Sequence, residues 1–202
     1  MRFLPNNPRQ NAAGRPVTAL FAVLAGAYPF LVYLFHERVS FIVFALGASM
    51  LLLLRACFAS SGWLVLFRLP LIGAAAALIV LSLIDATLAA KIYPALVSLM
   101  VAALFGSSLR HGPSLIERIA RLRDPDLSAA GQEYCRRLTW IWTLWLLFNA
   151  SVAALLAALP SVELWTLWTG VISYLCSGAL FVGEMILRRR FAGAGNQRGR
   201  DA

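Results

Sequence analysis

Leu138–Leu159 is a run of twenty-two residues without one charged side chain. A helix of roughly 20 apolar residues spans the ~30 Å hydrocarbon core of a bilayer. Inside that core every backbone N–H and C=O must be satisfied by the chain itself, which leaves helices or closed barrels. The run is continuous rather than alternating, so it predicts a helix. Five further apolar runs follow: Val17–Phe35, Val39–Leu54, Leu69–Ile84 and Ile92–Leu109, all uncharged, and Leu164–Leu187, with Glu184 near its end. The predicted fold is therefore an all-α polytopic membrane protein with six transmembrane helices. A basic cytoplasmic loop lies between helices 4 and 5. Residues 17–187 form the transmembrane domain, preceded by a basic cytoplasmic segment, 1–16, and followed by a basic tail, 188–202.

Two of these runs need comment. Val39–Leu54 is short, but Arg38 and Arg55 at its ends have stems long enough to snorkel outward. Ala56–Phe67 is too short to cross and ends at Arg68. It reads as an interfacial segment, or as the start of a third helix beginning near Trp63. A seventh span built around Arg68 would place a charge at mid-bilayer, at a cost of at least ~2.5 kcal/mol.

Charge fixes the orientation. The chain has 18 Lys+Arg against 9 Asp+Glu, a net +9, yet 60% of its residues are hydrophobic and only 13% charged. In a soluble protein such an excess would suggest nucleic acid. Here the hydropathy excludes that partner and assigns the charge to topology. With six spans, 16 of the 18 basic residues fall on one side, leaving Arg38 and Lys91 on the other. Basic residues collect in cytoplasmic loops, so both termini are expected on the cytoplasmic side. Arg2, Arg9 and Arg15 followed by an apolar run and Ala25-Gly26-Ala27 resemble a signal peptide. The run continues to Phe35, however, and an uncleaved first helix is expected. Trp140, Trp142 and Trp145 at one end of the fifth helix, and Trp165 and Trp168 at the outer end of the sixth, suit interfacial belts.

The loop Arg110–Arg137 is the longest polar stretch. Pro113 can open a short helix on which Leu115, Ile116, Ile119, Ala120 and Leu122 share one face and Glu117, Arg118 and Arg121 the other. Glu117 and Arg121 stand in the favourable order for an i,i+4 ion pair. Such a helix suits the headgroup plane. Pro125 ends it, and Asp126 or Ser128 can cap the helix that leads into the fifth span. The loop anchors orientation. Glu117, Arg118, Arg121, Arg123, Arg136 and Arg137 are also candidates for binding phosphate or an acidic protein, because arginine forks match both.

Within the membrane the polar candidates are Asn149, Tyr174 and Glu184, since intramembrane polar groups are functional candidates by default. An inter-helix hydrogen bond from Asn149 and an ion pair of Glu184 with Arg188 are the structural readings. Ser173 and Ser177 suggest close helix packing. Lys91, near Asp85, is expected to snorkel to the outer surface. Tyr28-Pro29-Phe30-Leu31-Val32 is similar to Tyr93-Pro94-Ala95-Leu96-Val97. Tyr28 lies deep in its run and Tyr93 near the start of its own, so coincidence is the reading. Pro94 then suits a first helical turn, and Pro29 should kink its helix. Cys57, Cys135 and Cys176 have no CxxC spacing and read as free thiols. With only His36 and His111 beside them, no metal or other cofactor is expected. No nucleophile elbow, phosphate loop, zinc-protease motif or acyltransferase box occurs.

The second half carries, in order, Lys91-Ile92-Tyr93-Pro94, Phe105-Gly106-Ser107-Ser108-Leu109, Glu117-Arg118-Ile119-Ala120-Arg121-Leu122 and Tyr134-Cys135-Arg136-Arg137-Leu138-Thr139, then Trp142, Asn149, Trp165 and Gly183-Glu184. In these residues, over roughly 91–190, the chain resembles an uncharacterised family of small bacterial inner-membrane proteins. Its members are often encoded among genes for aryl-polyene and xanthomonadin-type pigments, beside acyl carrier proteins and ketosynthases. The first half matches mainly in hydropathy and Tyr28-Pro29. The resemblance implies context rather than catalysis: an accessory or scaffolding role in pigment or lipid assembly, with an acidic acyl carrier protein or a phosphate headgroup on the basic loop. A transporter or flippase for a lipid-like product, with Asn149, Tyr174 and Glu184 along its path, is the alternative expectation. A membrane acyltransferase with an unrecognised site is the third.

Overall fold

The computed structural model describes residues 23–58, 68–110, 112–122 and 124–198. Every regular element among them is helical. In chain order they are α1 (Val23–Phe35), α2 (Phe41–Phe58), α3 (Arg68–Ile84), α4 (Ala86–Arg110), α5 (Leu115–Ala120) and α6 (Ala129–Ala158). The last stretch runs in three parts: α7 (Val162–Thr166), a π-helical turn (Leu167–Ile172) and α8 (Ser173–Arg198). Three helical stretches are long and apolar enough to cross a membrane: Ala86–Arg110, Ala129–Ala158 and Val162–Ile186. The apolar helices α1, α2 and α3 are shorter. Residues 17–22 of the expected first span, and 59–67 of the expected interfacial segment, lie outside the described residues.

Packing is inverted relative to a water-soluble helix bundle. Many of the buried positions are small: Ala45, Ala48 and Ser49 on α2, Ala75 on α3, Ala89, Ala90 and Ala102 on α4, and Ala150, Ala153 and Ala157 on α6. The exposed positions include Leu69, Leu83, Ile84, Leu155 and Leu175. In water this would leave a very large apolar patch uncovered. In lipid it is the expected arrangement, because close approach of small residues holds helices together where tails are as apolar as leucine. α4 and α6 pack most extensively, and α2 lies against both α3 and α4. On α3 the buried stripe Leu71, Ala75, Leu78 and Ser82 keeps a helical period.

Element boundaries correct the sequence reading at several points. The fourth helix begins at Ala86, not Ile92, because Asp85 is the only residue between α3 and α4 and its Oδ1 accepts the Leu88 N–H at 2.9 Å. Pro94 is therefore interior, eight residues beyond the first residue of α4. The second helix continues through Arg55 to Phe58. At its end Arg68, exposed, donates through Nε to the Ala56 carbonyl (2.9 Å) and through Nη2 to the Cys57 carbonyl (3.2 Å). That satisfies carbonyls a helix C-terminus leaves free. The sixth helix starts at Ala129 behind an N-cap from Ser128. It stops at Ala158, where the extended Leu159 obeys the restriction imposed by Pro160.

The α1 and π-turn faces fit by exchange of bulk. A Cβ on Gly170 would lie 3.0–3.3 Å from three ring atoms of Phe30, and one on Gly26 would lie 3.3 Å from the Tyr174 hydroxyl. Each glycine receives an aromatic ring from the other helix. Gly170→Ala is therefore expected to destabilise the protein by about 1–3 kcal/mol through overpacking. Gly178→Ala, with open space around it, should be neutral or stabilising by up to about 1 kcal/mol. Detergent-solubilised thermal unfolding of the two variants checks the contrast.

Candidate functional site

Pro94 organises the middle of the protein. Lacking an N–H, it leaves the Ala90 carbonyl, one turn earlier, without its helical donor. The Tyr28 hydroxyl supplies one from α1, donating to Ala90 O at 2.8 Å, with the Phe44 carbonyl of α2 at 3.3 Å. The next carbonyl, of Lys91, accepts from Trp165 Nε1 at 2.8 Å. The Lys91 side chain runs the other way. Its Nζ donates to the carbonyls of Leu159 (2.5 Å) and Ser161 (3.4 Å) beyond the C-terminal end of α6. A cation is favoured there by both the free carbonyls and the helix dipole.

This overturns two expectations. Lys91 does not snorkel to the surface but is fully enclosed, at 0% exposure, with Asp85 and Glu163 as the carboxylates whose charge acts on it. Trp165 is not an interfacial anchor either, since it too is 0% exposed. The resemblance between the two Tyr-Pro segments also has a structural counterpart. Tyr93 lies inside α4 as Tyr28 lies inside α1, and their rings touch at a centroid distance of 4.7 Å.

Below this node α1, α4, α6, the π turn and α8 enclose a cavity of about 170 Å³. Its wall includes both helix-interior prolines, Pro29 and Pro94, and the polar groups of Tyr93, Ser98, Asn149, Thr169, Ser173, Tyr174 and Ser177. Asn149 is the hub. Its Nδ2 donates to Ser98 Oγ on α4 at 2.9 Å, and its Oδ1 accepts from Trp168 Nε1 at 3.0 Å. Thr169, Ser173 and Ser177 stand four residues apart, on one face. Each hydroxyl donates back to the carbonyl four residues earlier, at 2.7, 3.2 and 2.7 Å. Ser177 Oγ also accepts from Trp145 Nε1 at 2.9 Å. Single π turns inside α-helices mark functional sites often enough to be noted, and this one carries Thr169 into the cavity wall.

Of the three intramembrane candidates, the structure brings Asn149 and Tyr174 together here. Glu184 sits on α8, half-buried, and does not line the cavity. The side chain of Arg188, its expected partner, lies outside the described residues. Sequence reading missed Ser98, Thr169 and Trp168. Ser98 and Thr169 are short hydroxyls that a membrane helix tolerates anywhere, and Trp168 looked like a belt residue. The larger groove between α1 and α2, about 420 Å³, is lined by apolar side chains and by Tyr28, whose hydroxyl is already committed to backbone.

The basic loop is more self-contained than its composition suggests. Its short helix α5 starts after Ser114, not Pro113. Ser114 and Glu117 form a reciprocal capping box. Glu117 is buried at 7% exposure and holds Arg121 in an ion pair of 2.8 Å. It therefore builds the loop and offers nothing outward. Arg118 Nε donates to the Pro113 carbonyl (2.9 Å), and Arg137 pairs with Glu133 (3.0 Å). Arg136 is exposed on the first turns of α6. Arg123 lies outside the described residues. No disulfide joins Cys57, Cys135 and Cys176, and no metal-ligating cluster occurs among the described residues.

Comparison with protein-family models, with curated proteins and with solved structures found no match to this chain.

The Pro94 node makes a prediction of its own. Tyr28→Phe should cost about 1–3 kcal/mol, the price of an unsatisfied buried carbonyl. In a Pro94→Ala background the new N–H would serve Ala90, and the same substitution should cost less. A double-mutant cycle on thermal stability should give a coupling of at least about 0.5 kcal/mol. Additive costs would show that Tyr28 does not serve that carbonyl.

Proposed function

We propose that the chain is a six-span inner-membrane protein, both termini cytoplasmic, that carries a lipid-like molecule through a polar cavity between its helices. One observation supports the carrier reading above the others: Asn149, the deepest polar residue of the fifth predicted span, bridges Ser98 and Trp168 at the wall of that cavity. A polar pocket in hydrocarbon is costly unless it is hydrogen-bonded or holds a ligand. Discontinuous helices meeting at a site are also a recurring feature of membrane carriers. Here α1 and α4 each contribute an interior proline and α8 is preceded by a π turn. The six-span count rests on the charge distribution of the sequence and on the one-residue corner at Asp85, which ends α3 where α4 begins. The resemblance to proteins encoded with polyene-pigment genes gives the cargo a context, a membrane-bound product of that assembly.

A second reading has its own support. Arg110 and Arg136 are exposed and make no ion pair with a described acidic residue, so the loop retains cationic surface for an acidic carrier protein or a phosphate headgroup. In that reading the protein is an accessory scaffold.

Proteoliposomes separate the two. The probe is a fluorophore-labelled glucosylceramide, with dithionite added outside to quench the exposed leaflet. Wild type is expected to speed the loss of inner-leaflet signal, Asn149→Leu to abolish the acceleration, and Arg110→Glu/Arg136→Glu to leave it intact. Acceleration that survives Asn149→Leu but fails on loop charge reversal would move the scaffold reading ahead.

A further inference from the structure

The cavity wall has a definite chemistry. None of its side chains is charged. Lys91, the nearest enclosed cation in sequence, turns its ammonium toward the end of α6 and is not part of the wall. The wall has donors and acceptors in excess of its internal needs. Tyr93 is buried at 4% exposure, lines the cavity, and its hydroxyl has no hydrogen-bond partner among the described residues. The Tyr174 hydroxyl is likewise without one. Ser98 accepts from Asn149 but has its own O–H left to give. On the opposite wall the hydroxyls of Thr169 and Ser173 donate to backbone, which leaves oxygen lone pairs facing inward. A guest matched to this wall must both accept and donate, and must be neutral. An ionised head would lose its hydration without gaining a counter-charge. At about 170 Å³ the space equals roughly five or six water molecules at ~30 Å³ each.

The cavity also has a side door. Tyr174 lines it yet is 52% exposed on the outer, lipid-facing surface. Across the seam stands Gly26 of α1, where a Cβ would lie 3.3 Å from the Tyr174 hydroxyl. An added side chain here would press on the tip of the Tyr174 ring, and a branched one would fill the seam.

Resting on the carrier reading above, we propose that the cavity binds the neutral, hydroxyl-rich head of a membrane amphiphile, which enters sideways from the bilayer between Gly26 and Tyr174 and leaves its hydrocarbon in the lipid. Tyr93, Tyr174 and Ser98 donate to the head, and the Thr169–Ser173 face accepts from it. Phosphate-, carboxylate- and ammonium-headed chains of equal length are rejected.

The test uses the full chain in phosphatidylcholine nanodiscs and a dodecyl glucoside carrying a diazirine on its sugar. Crosslinks mapped by mass spectrometry are expected at the cavity wall, around Ser98, Asn149 and Ser177. Unlabelled dodecyl glucoside should compete at least about tenfold better than dodecyl phosphate, laurate or dodecylammonium, the size of roughly 1.4 kcal/mol. Gly26→Val, which fills the seam, should lower crosslinking by about tenfold or more, while Gly178→Val should not. Tyr174→Phe keeps the ring and the packing and removes only the unpaired hydroxyl, so it should weaken competition severalfold even if Gly26→Val folds poorly. Equal competition by the charged chains overturns the neutral-head assignment. Cavity crosslinks undiminished in well-folded Gly26→Val overturn the side entry. In both cases the carrier reading survives. Crosslinks confined to residues outside the cavity overturn the two readings together.

Discussion

The missing N–H of Pro94 is the constraint on which the rest of the bundle depends. A proline inside a membrane helix frees a carbonyl in a solvent that has no water to satisfy it. The protein answers with donors from other helices. Tyr28 reaches the freed Ala90 carbonyl from α1, and at the neighbouring carbonyl, that of Lys91, Trp165 of α7 adds a second tie. Lys91 in turn closes the end of α6 with its ammonium. Four helices are tied at one place by groups whose alternative is an unsatisfied polar atom in hydrocarbon. That alternative, more than the strength of any single bond, makes the node a fixed point.

The same logic explains why a cavity can persist beside the node. Helices that approach through alanine and glycine come close where the small residues face each other, as at Ala45 against Ala89 and Ala90. They stand apart where a proline or a π turn interrupts the helix. Pro29, Pro94 and the turn Leu167–Ile172 all lie around the cavity. The space between them is bridged by side-chain polar groups, with Asn149 at the centre, because apolar packing could not follow three irregular backbones at once. Asn149 thus ties α6 to α4 and to the π turn across that space.

The basic loop shows how composition can overstate availability. Glu117 closes the N-terminus of α5 and neutralises Arg121, and Glu133 does the same for Arg137. Both pairs follow the i,i+4 register of their own helices, so they form whether or not a partner is present. The exposed Glu133–Arg137 pair is worth little energetically, and the Glu117–Arg121 pair is part-buried, but each lowers the charge available to an incoming anion. The outward charge is left to residues such as Arg110 and Arg136.

The sequence by itself determined that the chain is helical and built for a bilayer. Continuous uncharged runs such as Leu138–Leu159 favour a helical backbone in hydrocarbon, and for the helix into the fifth span the cap was legible as Asp126 or Ser128, of which the structure uses Ser128. The Glu117–Arg121 pair was equally legible, because its geometry is local. The sequence placed Asn149 and Tyr174 among polar intramembrane residues without showing that they share a wall. Tertiary structure alone decided that Lys91 and Trp165 are enclosed, that Tyr28 answers Pro94, and that Ser98 and Thr169 complete the cavity. The physical reason is the solvent. In water a hydrophobic stripe marks the face that turns inward, but in lipid the outward face is as apolar as the inward one. Periodicity therefore carries no label for which neighbour a helix will meet, and only the packed structure supplies it.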